Sequence, residues 1–137
     1  MDPKRILICI VVALIAITLT DFLIHEVWLK NIYALDAGKL WRSEPNLGLI
    51  HAGHLLVAIA FAMLWTRIRF GGAGIQCAVA LGVFLGLFQA GGTVITAAVQ
   101  PLPEGLMMKW IIAAMAQSIL VSVLMFLVYK PTKSCPD

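Results

Sequence analysis

Charged residues are scarce in this 137-residue sequence. Asp, Glu, Lys and Arg together make up 12% of the chain, about half the share that is usual in soluble domains, whereas 61% of the residues are apolar. This balance excludes a soluble globular domain and a disordered tail. The formal net charge of +3 does not indicate nucleic-acid binding, because the basic residues lie at the ends of apolar runs rather than on one face.

The common catalytic motifs are also missing. The sequence contains no G-x-S-x-G, no P-loop and no G-x-G-x-x-G, so hydrolase, nucleotide and dinucleotide chemistry have no sequence support. Cysteine is limited to three residues, and no pair lies in the predicted outer loops, so no extracytoplasmic disulfide is expected. Enzymatic activity is left open, with a metal-activated water as the one route that the residues allow.

Four long apolar runs dominate what is present. Each has 19 to 25 residues, and a helix rises about 1.5 Å per residue, so each is long enough to cross a hydrocarbon core of about 30 Å. The sequence therefore predicts an all-α membrane fold, a four-transmembrane-helix bundle that forms a single integral membrane domain over residues 1–137. The predicted helices cover about residues 6–29, 47–65, 73–97 and 107–129.

Basic residues between the runs predict the orientation of the bundle. With both termini inside, six basic side chains lie on the inner side and four on the outer side, so the positive-inside rule favours cytoplasmic termini. The inner six are Lys4, Arg5, Arg67, Arg69, Lys130 and Lys133, and the outer four are Lys30, Lys39, Arg42 and Lys109. An aromatic belt is predicted at the outer interface, formed by Trp28, Tyr33, Trp41 and Trp110.

Ionisable residues inside the runs cluster near the outer ends of the first two helices. Asp21 and His25 are four residues apart on one helix face, and His51 and His54 are three apart on the next helix. Asp21 and His54 lie about 10–12 Å below the outer interface, counted at about 1.5 Å per residue. Glu26 points about 140° away from Asp21 and is the outlier. A charge at this depth costs about 2.5–3.5 kcal/mol, so Asp21 is expected to be paired, protonated or bound to a ligand.

Imidazole and carboxylate groups together are the ligand set of zinc, iron and copper. The leading hypothesis is therefore an outward-facing intramembrane site that binds a transition metal, with haem b between His25 and His54 as the other cofactor that a His pair suits. The candidate metal ligands are Asp21, His25, His51, His54 and Glu26. Polar residues at similar depth on the third and fourth helices are candidates for orienting these ligands: Gln89, Thr93 and Gln117.

Two other classes of function stay open. In a non-catalytic accessory subunit of a larger membrane complex, the same residues would pair only to fix the register of the helices. A proton-coupled carrier would need a polar path to the inner side, and the inner half is almost bare of polar groups. Gly82 and Gly86 have small-xxx-small spacing, which favours close helix packing inside the bundle and leaves a homo-oligomer or partner contact through this face as the alternative.

One pattern marks the first helix and the loop after it: Asp21-Phe22-Leu23-Ile24-His25, then Leu29, Tyr33 and Leu40-Trp41-Arg42. In this pattern, and in its hydropathy layout over the whole chain, the sequence resembles small uncharacterised four-helix membrane proteins of bacteria. The resemblance implies a multi-pass protein of the bacterial inner membrane, with the lipid bilayer as its partner. It implies no activity and no site residues.

Overall fold

Helices make up most of the described part of the chain, which contains no strand. The structure is a computed structural model, and it describes residues 3–35, 42, 44–67 and 74–129. Helix α1 begins at Pro3 and ends at Phe22, and a π-helical turn continues it. The elements in order are α1 (Pro3–Phe22), the π turn (Leu23–Trp28), α2 (Lys30–Leu35), α3 (Leu47–Arg67), α4 (Ile75–Val99) and α5 (Leu106–Val128).

Four of these helices are long and apolar enough to cross a membrane, with α1 and the π turn counted as one span. The predicted all-α fold with four candidate spans is thus confirmed, and helix ends differ from the prediction by three residues or fewer. The predicted start of the third span, at residue 73, lies outside the described residues. Before α5, Gly105 has a φ of 75°, which side chains other than glycine rarely adopt.

The helices pack in the spatial order α3, α1, α5, α4. Helix α1 contacts both α3 and α5, and α4 packs mainly against α5. Small buried residues such as Ala13 on α1, Ala58 on α3 and Ala78 on α4 let the backbones approach closely. In the most apolar window of each span, only 17% to 28% of the residues are buried, so most of the apolar surface is left for lipid.

Gly82 and Gly86 lie directly against α5. A Cβ on Gly82 would lie 2.5 Å from Ile119 Cα, and one on Gly86 would lie 3.0 Å from Met115 Cα. Real Cβ atoms essentially never come within 3.0 Å of backbone, so the packing of α4 on α5 requires glycine at position 82. At position 86 the close contact is with the flexible Met115 side chain, and the Met115 backbone would have to shift only slightly. This face is covered within the chain. Association with a second chain through this face stays a prediction.

The two ends of the bundle differ in their polar contacts. At one end the Arg5 guanidinium lies 5.8 Å from the centre of the Tyr129 ring, and Trp65 Nε1 donates to Tyr129 O at 3.1 Å. We call this the terminal end, because both described termini lie there. The opposite end carries α2 and the turn before α5, and we call it the α2 end. Which end faces the cytoplasm stays a prediction.

Candidate functional site

A carboxylate and two imidazoles meet at the α2 end, where α1 packs against α3. His54 Nε2 lies 2.9 Å from Asp21 Oδ2, and His25 Nε2 lies 3.4 Å from Asp21 Oδ1. All three side chains are half-buried. Asp21 lies on α1 and His25 four residues later in the π turn, whereas His54 comes from α3, so the carboxylate joins the first span to α3. We call these three residues the Asp–His cluster.

The π turn begins two residues after Asp21 and contains His25. Leu29 N donates to Ile24 O, five residues back, at 2.9 Å, and the Leu29 side chain is fully buried. Helix α2 follows the turn, and its Tyr33 Oη lies 2.6 Å from His25 Nδ1. Helix α2 therefore contacts the cluster through Tyr33. Such π turns occur frequently at functional sites.

A hydroxyl group contacts the Nδ1 atom of each histidine in the cluster, His25 and His54. Trp110 Nε1 donates to Tyr33 Oη at 2.8 Å, and an indole N–H can only donate. The Tyr33 hydrogen is then directed to His25 Nδ1, which places the proton of a neutral His25 on Nε2, facing Asp21. Burial raises the pKa of the Tyr33 hydroxyl, so it keeps this hydrogen at neutral pH. On the other ring, Thr18 Oγ1 lies 3.3 Å from His54 Nδ1.

Two predicted ligands lie beside the cluster rather than in it. The His51 ring meets the His54 ring edge-on, with 6.1 Å between their centres, and its side chain is exposed. Glu26 is exposed and lines a cleft near the cluster. Within the residues that the structure describes, no hydrogen bond or ion pair joins either of them to Asp21.

The amide side chains predicted to orient the ligands connect helices instead. Gln117 Nε2 donates to Thr20 Oγ1 at 2.7 Å and to Ile17 O at 3.3 Å, which ties α5 to α1. Gln89 Nε2 donates to the buried Ser118 Oγ at 2.9 Å, which ties α4 to α5. Their hydrogen bonds run to hydroxyl and backbone groups rather than to the histidines.

Two clefts open beside the cluster, and Asp21, His25 and Trp110 line both. The narrow cleft, of about 440 Å³, lies between α1, α4 and α5. The wide cleft, of about 640 Å³, lies between α1, α2 and α3. Polar groups of the narrow cleft come from Gln89, Thr93, Thr96 and Gln117. The wide cleft adds Glu26, Lys30, Tyr33, Arg42, His51 and His54 to apolar walls.

The Asp–His cluster brings together side chains of the kinds that bind metal ions, but they are not arranged around a common point. In the part of the chain that the structure describes, no group of three or more His, Cys, Asp and Glu side chains is arranged to hold a metal ion as it stands. The Asp–His cluster supplies one carboxylate and two ring nitrogens, and each ring nitrogen contacts the carboxylate.

Sequence reasoning missed three members of this site: Thr18, Tyr33 and Trp110. Thr18 lies three residues before Asp21, on the same stripe of α1, which is a signal that spacing alone provides. Tyr33 and Trp110 lie near helix ends and fit an aromatic belt equally well. Only the contacts that Tyr33 on α2 makes with Trp110 on α5 and with His25 reveal their role.

No family model, no curated protein and no solved structure matches this chain. The four apolar helices indicate a multi-pass membrane protein. Its function has to be inferred from the cluster and the clefts.

Proposed function

We propose that the protein binds a divalent transition metal ion through Asp21, His25 Nε2 and His54 Nε2. One observation carries the proposal: both rings turn the same nitrogen toward one carboxylate, while a hydroxyl contacts each Nδ1. Metal-bound histidines are held in this way, with one nitrogen on the metal and the other bonded to a polar group that fixes the ring.

Two distances within the cluster, each to a different oxygen of Asp21, are close to the spacing of ligand atoms around a metal ion. Ligand atoms about 2.0–2.1 Å from a tetrahedral zinc ion lie about 3.3 Å from each other, and the observed separations are 2.9 Å and 3.4 Å. Binding replaces the present hydrogen bonds and requires both rings to turn toward one point. Each ring then carries its proton on Nδ1, where the oxygen of Tyr33 or Thr18 accepts it.

Two histidines and one carboxylate favour zinc or non-haem iron and leave a coordination position open. Haem b between His25 and His54 fits less well, because it would have to displace the Asp21 carboxylate that contacts both Nε2 atoms. The orientation favoured by the basic residues puts this site on the outer side of a bacterial inner membrane, and that location is part of the proposal.

The test is metal binding by the full chain, purified in mild detergent and stripped with a chelator. Equilibrium dialysis against Zn²⁺ is expected to load one ion per chain. Asp21→Asn and His54→Gln are each expected to weaken binding by more than about 100-fold, which exceeds the 10–100-fold effect typical of groups that only orient a ligand. Cobalt substitution, read by visible absorption, reports the ligand geometry.

His51→Gln is the matched control, because His51 contacts the His54 ring but not the carboxylate. It is expected to bind zinc as the wild type does. A wild-type protein that takes up no zinc, iron or copper contradicts the proposal. The cluster is then a structural pair, as expected of an accessory subunit. An equal loss in His51→Gln would make His51 a ligand, as the sequence predicted.

A further inference from the structure

The hydroxyl groups of the narrow cleft present oxygen lone pairs, because their hydrogens are used inside α4. Thr93 Oγ1 donates to Gln89 O at 3.2 Å, and Thr96 Oγ1 donates to Gly92 O at 2.9 Å. A hydroxyl has one hydrogen and two lone pairs. Toward a ligand in the cleft, both threonines therefore act as acceptors.

The amide groups of Gln89 and Gln117 also offer the cleft more hydrogen-bond acceptors than donors. Gln117 uses both of its N–H groups, on Ile17 O and Thr20 Oγ1. Gln89 uses one of its two on Ser118 Oγ. The Oε1 atoms of Gln89 and Gln117 have no partner among the described residues, so the two amides offer two acceptors against a single remaining donor.

A carboxylate lies at one end of the cleft. It has about four acceptor positions, and the two histidines face one on each oxygen of Asp21. The remaining acceptor positions of Asp21 are available to a donor in the cleft that it lines. Among the described residues, no Lys or Arg lines this cleft. The Trp110 ring borders it, and aromatic rings attract cations.

We propose that the narrow cleft binds a small protonated primary amine. Its ammonium group has three N–H donors for Asp21 and the oxygens of Gln89 and Thr93, and its carbon chain packs against Ala113 and Ala114, which line the same cleft. The volume of about 440 Å³ lies in the range of small-molecule sites. This site goes beyond the metal proposal. Since both ligands need Asp21, metal and amine exclude each other.

The first experiment is calorimetric titration of the chelator-treated full chain in detergent with butylammonium chloride. Tetramethylammonium chloride is the comparison probe, because it carries the same charge without N–H donors. Butylammonium is expected to bind at least about tenfold more tightly, since hydrogen bonds to charged groups are among the stronger ones. Absence of saturable butylammonium binding, or equal affinity for both probes, overturns the proposal.

A pair of adjacent glycines localises the site. A Cβ on Gly91 or on Gly92 meets no atom within 4 Å, but only Gly92 lines the narrow cleft. Gly92→Leu is expected to reduce butylammonium affinity by more than about tenfold by filling the cleft, whereas Gly91→Leu keeps wild-type affinity. Equal affinity of the two variants overturns the proposed location.

A second pair of variants tests the proposal if Gly92→Leu fails to fold. Thr93→Val removes an acceptor at constant size and is expected to weaken butylammonium binding by about tenfold. Its control is Thr66→Val. Thr66 also donates to a carbonyl of its own helix, Ala62 O, at 3.0 Å, but it lies on α3 near the terminal end of the bundle, away from the cleft. Equal affinities of these two variants count against the proposal.

Zinc titration of the same samples separates this proposal from the metal site. Zinc binding without butylammonium binding overturns the amine site alone. Butylammonium binding without zinc binding supports the amine site and contradicts the metal site. Where both bind, loading with zinc first is expected to lower butylammonium affinity at least tenfold, and an unchanged affinity overturns the shared use of Asp21.

Discussion

At the scale of single residues, the Tyr33 hydroxyl holds the α2 end together. It accepts a hydrogen bond from Trp110 on α5 and contacts His25 in the π turn. The Tyr33 and His25 rings also stack, with 5.7 Å between their centres and 15° between their planes. One oxygen atom thus connects three elements and fixes the orientation of one proposed metal ligand.

Tyr33→Phe is expected to destabilise the protein by about 1–3 kcal/mol, because the Trp110 N–H and His25 Nδ1 both lose their partner. The measurement is denaturant unfolding in mixed micelles. Tyr129→Phe is the control, since the contacts of Tyr129 use its ring and its backbone oxygen, and it is expected to match the wild type. Equal stability of both variants would show that the Tyr33 hydroxyl contributes nothing.

Residue spacing and depth pointed to Asp21, His25 and His54, and the structure brings these three together. His51 was grouped with them because three residues along a helix return to nearly the same face. At about 100° per residue, however, the two histidines of α3 still differ by about 60°. That angle places the His54 ring on the carboxylate and the His51 ring beside it. His51 as a ligand stays a prediction.

At the scale of helices, the α4–α5 contact depends on the absence of one side chain. Gly82 is buried, and a Cβ there would also lie 2.9 Å from Ser118 O on α5. No rotation of a side chain can relieve a collision with backbone atoms. The two helices would have to separate.

Gly82→Ala is therefore expected to destabilise the protein by about 1–3 kcal/mol or more, despite the higher helix propensity of alanine. Gly53→Ala is the matched control, because a Cβ there meets no atom within 4 Å. It is expected to be neutral or stabilising by up to about 1 kcal/mol. Thermal unfolding of both variants in detergent measures the difference, and equal melting temperatures would contradict the close packing at Gly82.

The long helices were predictable because a membrane span leaves a clear record in hydropathy. The π turn over Leu23–Trp28 was not, since its apolar residues fit an α-helix equally well. Helix α2 escaped prediction for a related reason: at six residues it is too short to show a periodic pattern. Both elements are held by their surroundings, through the buried Leu29 and the bond from Trp110 to Tyr33.

At the scale of the whole molecule, the first and last described residues lie at one end, and the basic residues predict that this end faces the cytoplasm. A green fluorescent protein fused to the C-terminus is therefore expected to fluoresce, and alkaline phosphatase fused there is expected to be inactive. Fusions within the loop that follows α2 are expected to give the opposite pair of results. Active phosphatase at the C-terminus would reverse the orientation.

The spatial order of the helices was beyond the reach of the sequence. Helices joined by a short link usually pack together, yet α3 and α4 are not among the extensively packed pairs in the described residues. Helix α1 packs instead against α5, the last helix, through contacts such as Gln117 with Ile17 and Thr20. The sequence of an apolar span does not predict which helices it packs against, because lipid and protein solvate apolar side chains almost equally well.

The central position of α1 and α5 has a consequence for synthesis. Among the described helices α1 is synthesised first and α5 last, so the contact between them in the middle of the bundle cannot form until α5 has been made. Until then, His54 on the second span is available to the Asp21 carboxylate, while the partner of Tyr33 on α5 has not yet been made. The α1–α3 contact can therefore form before the narrow cleft, which needs side chains from α4 and α5.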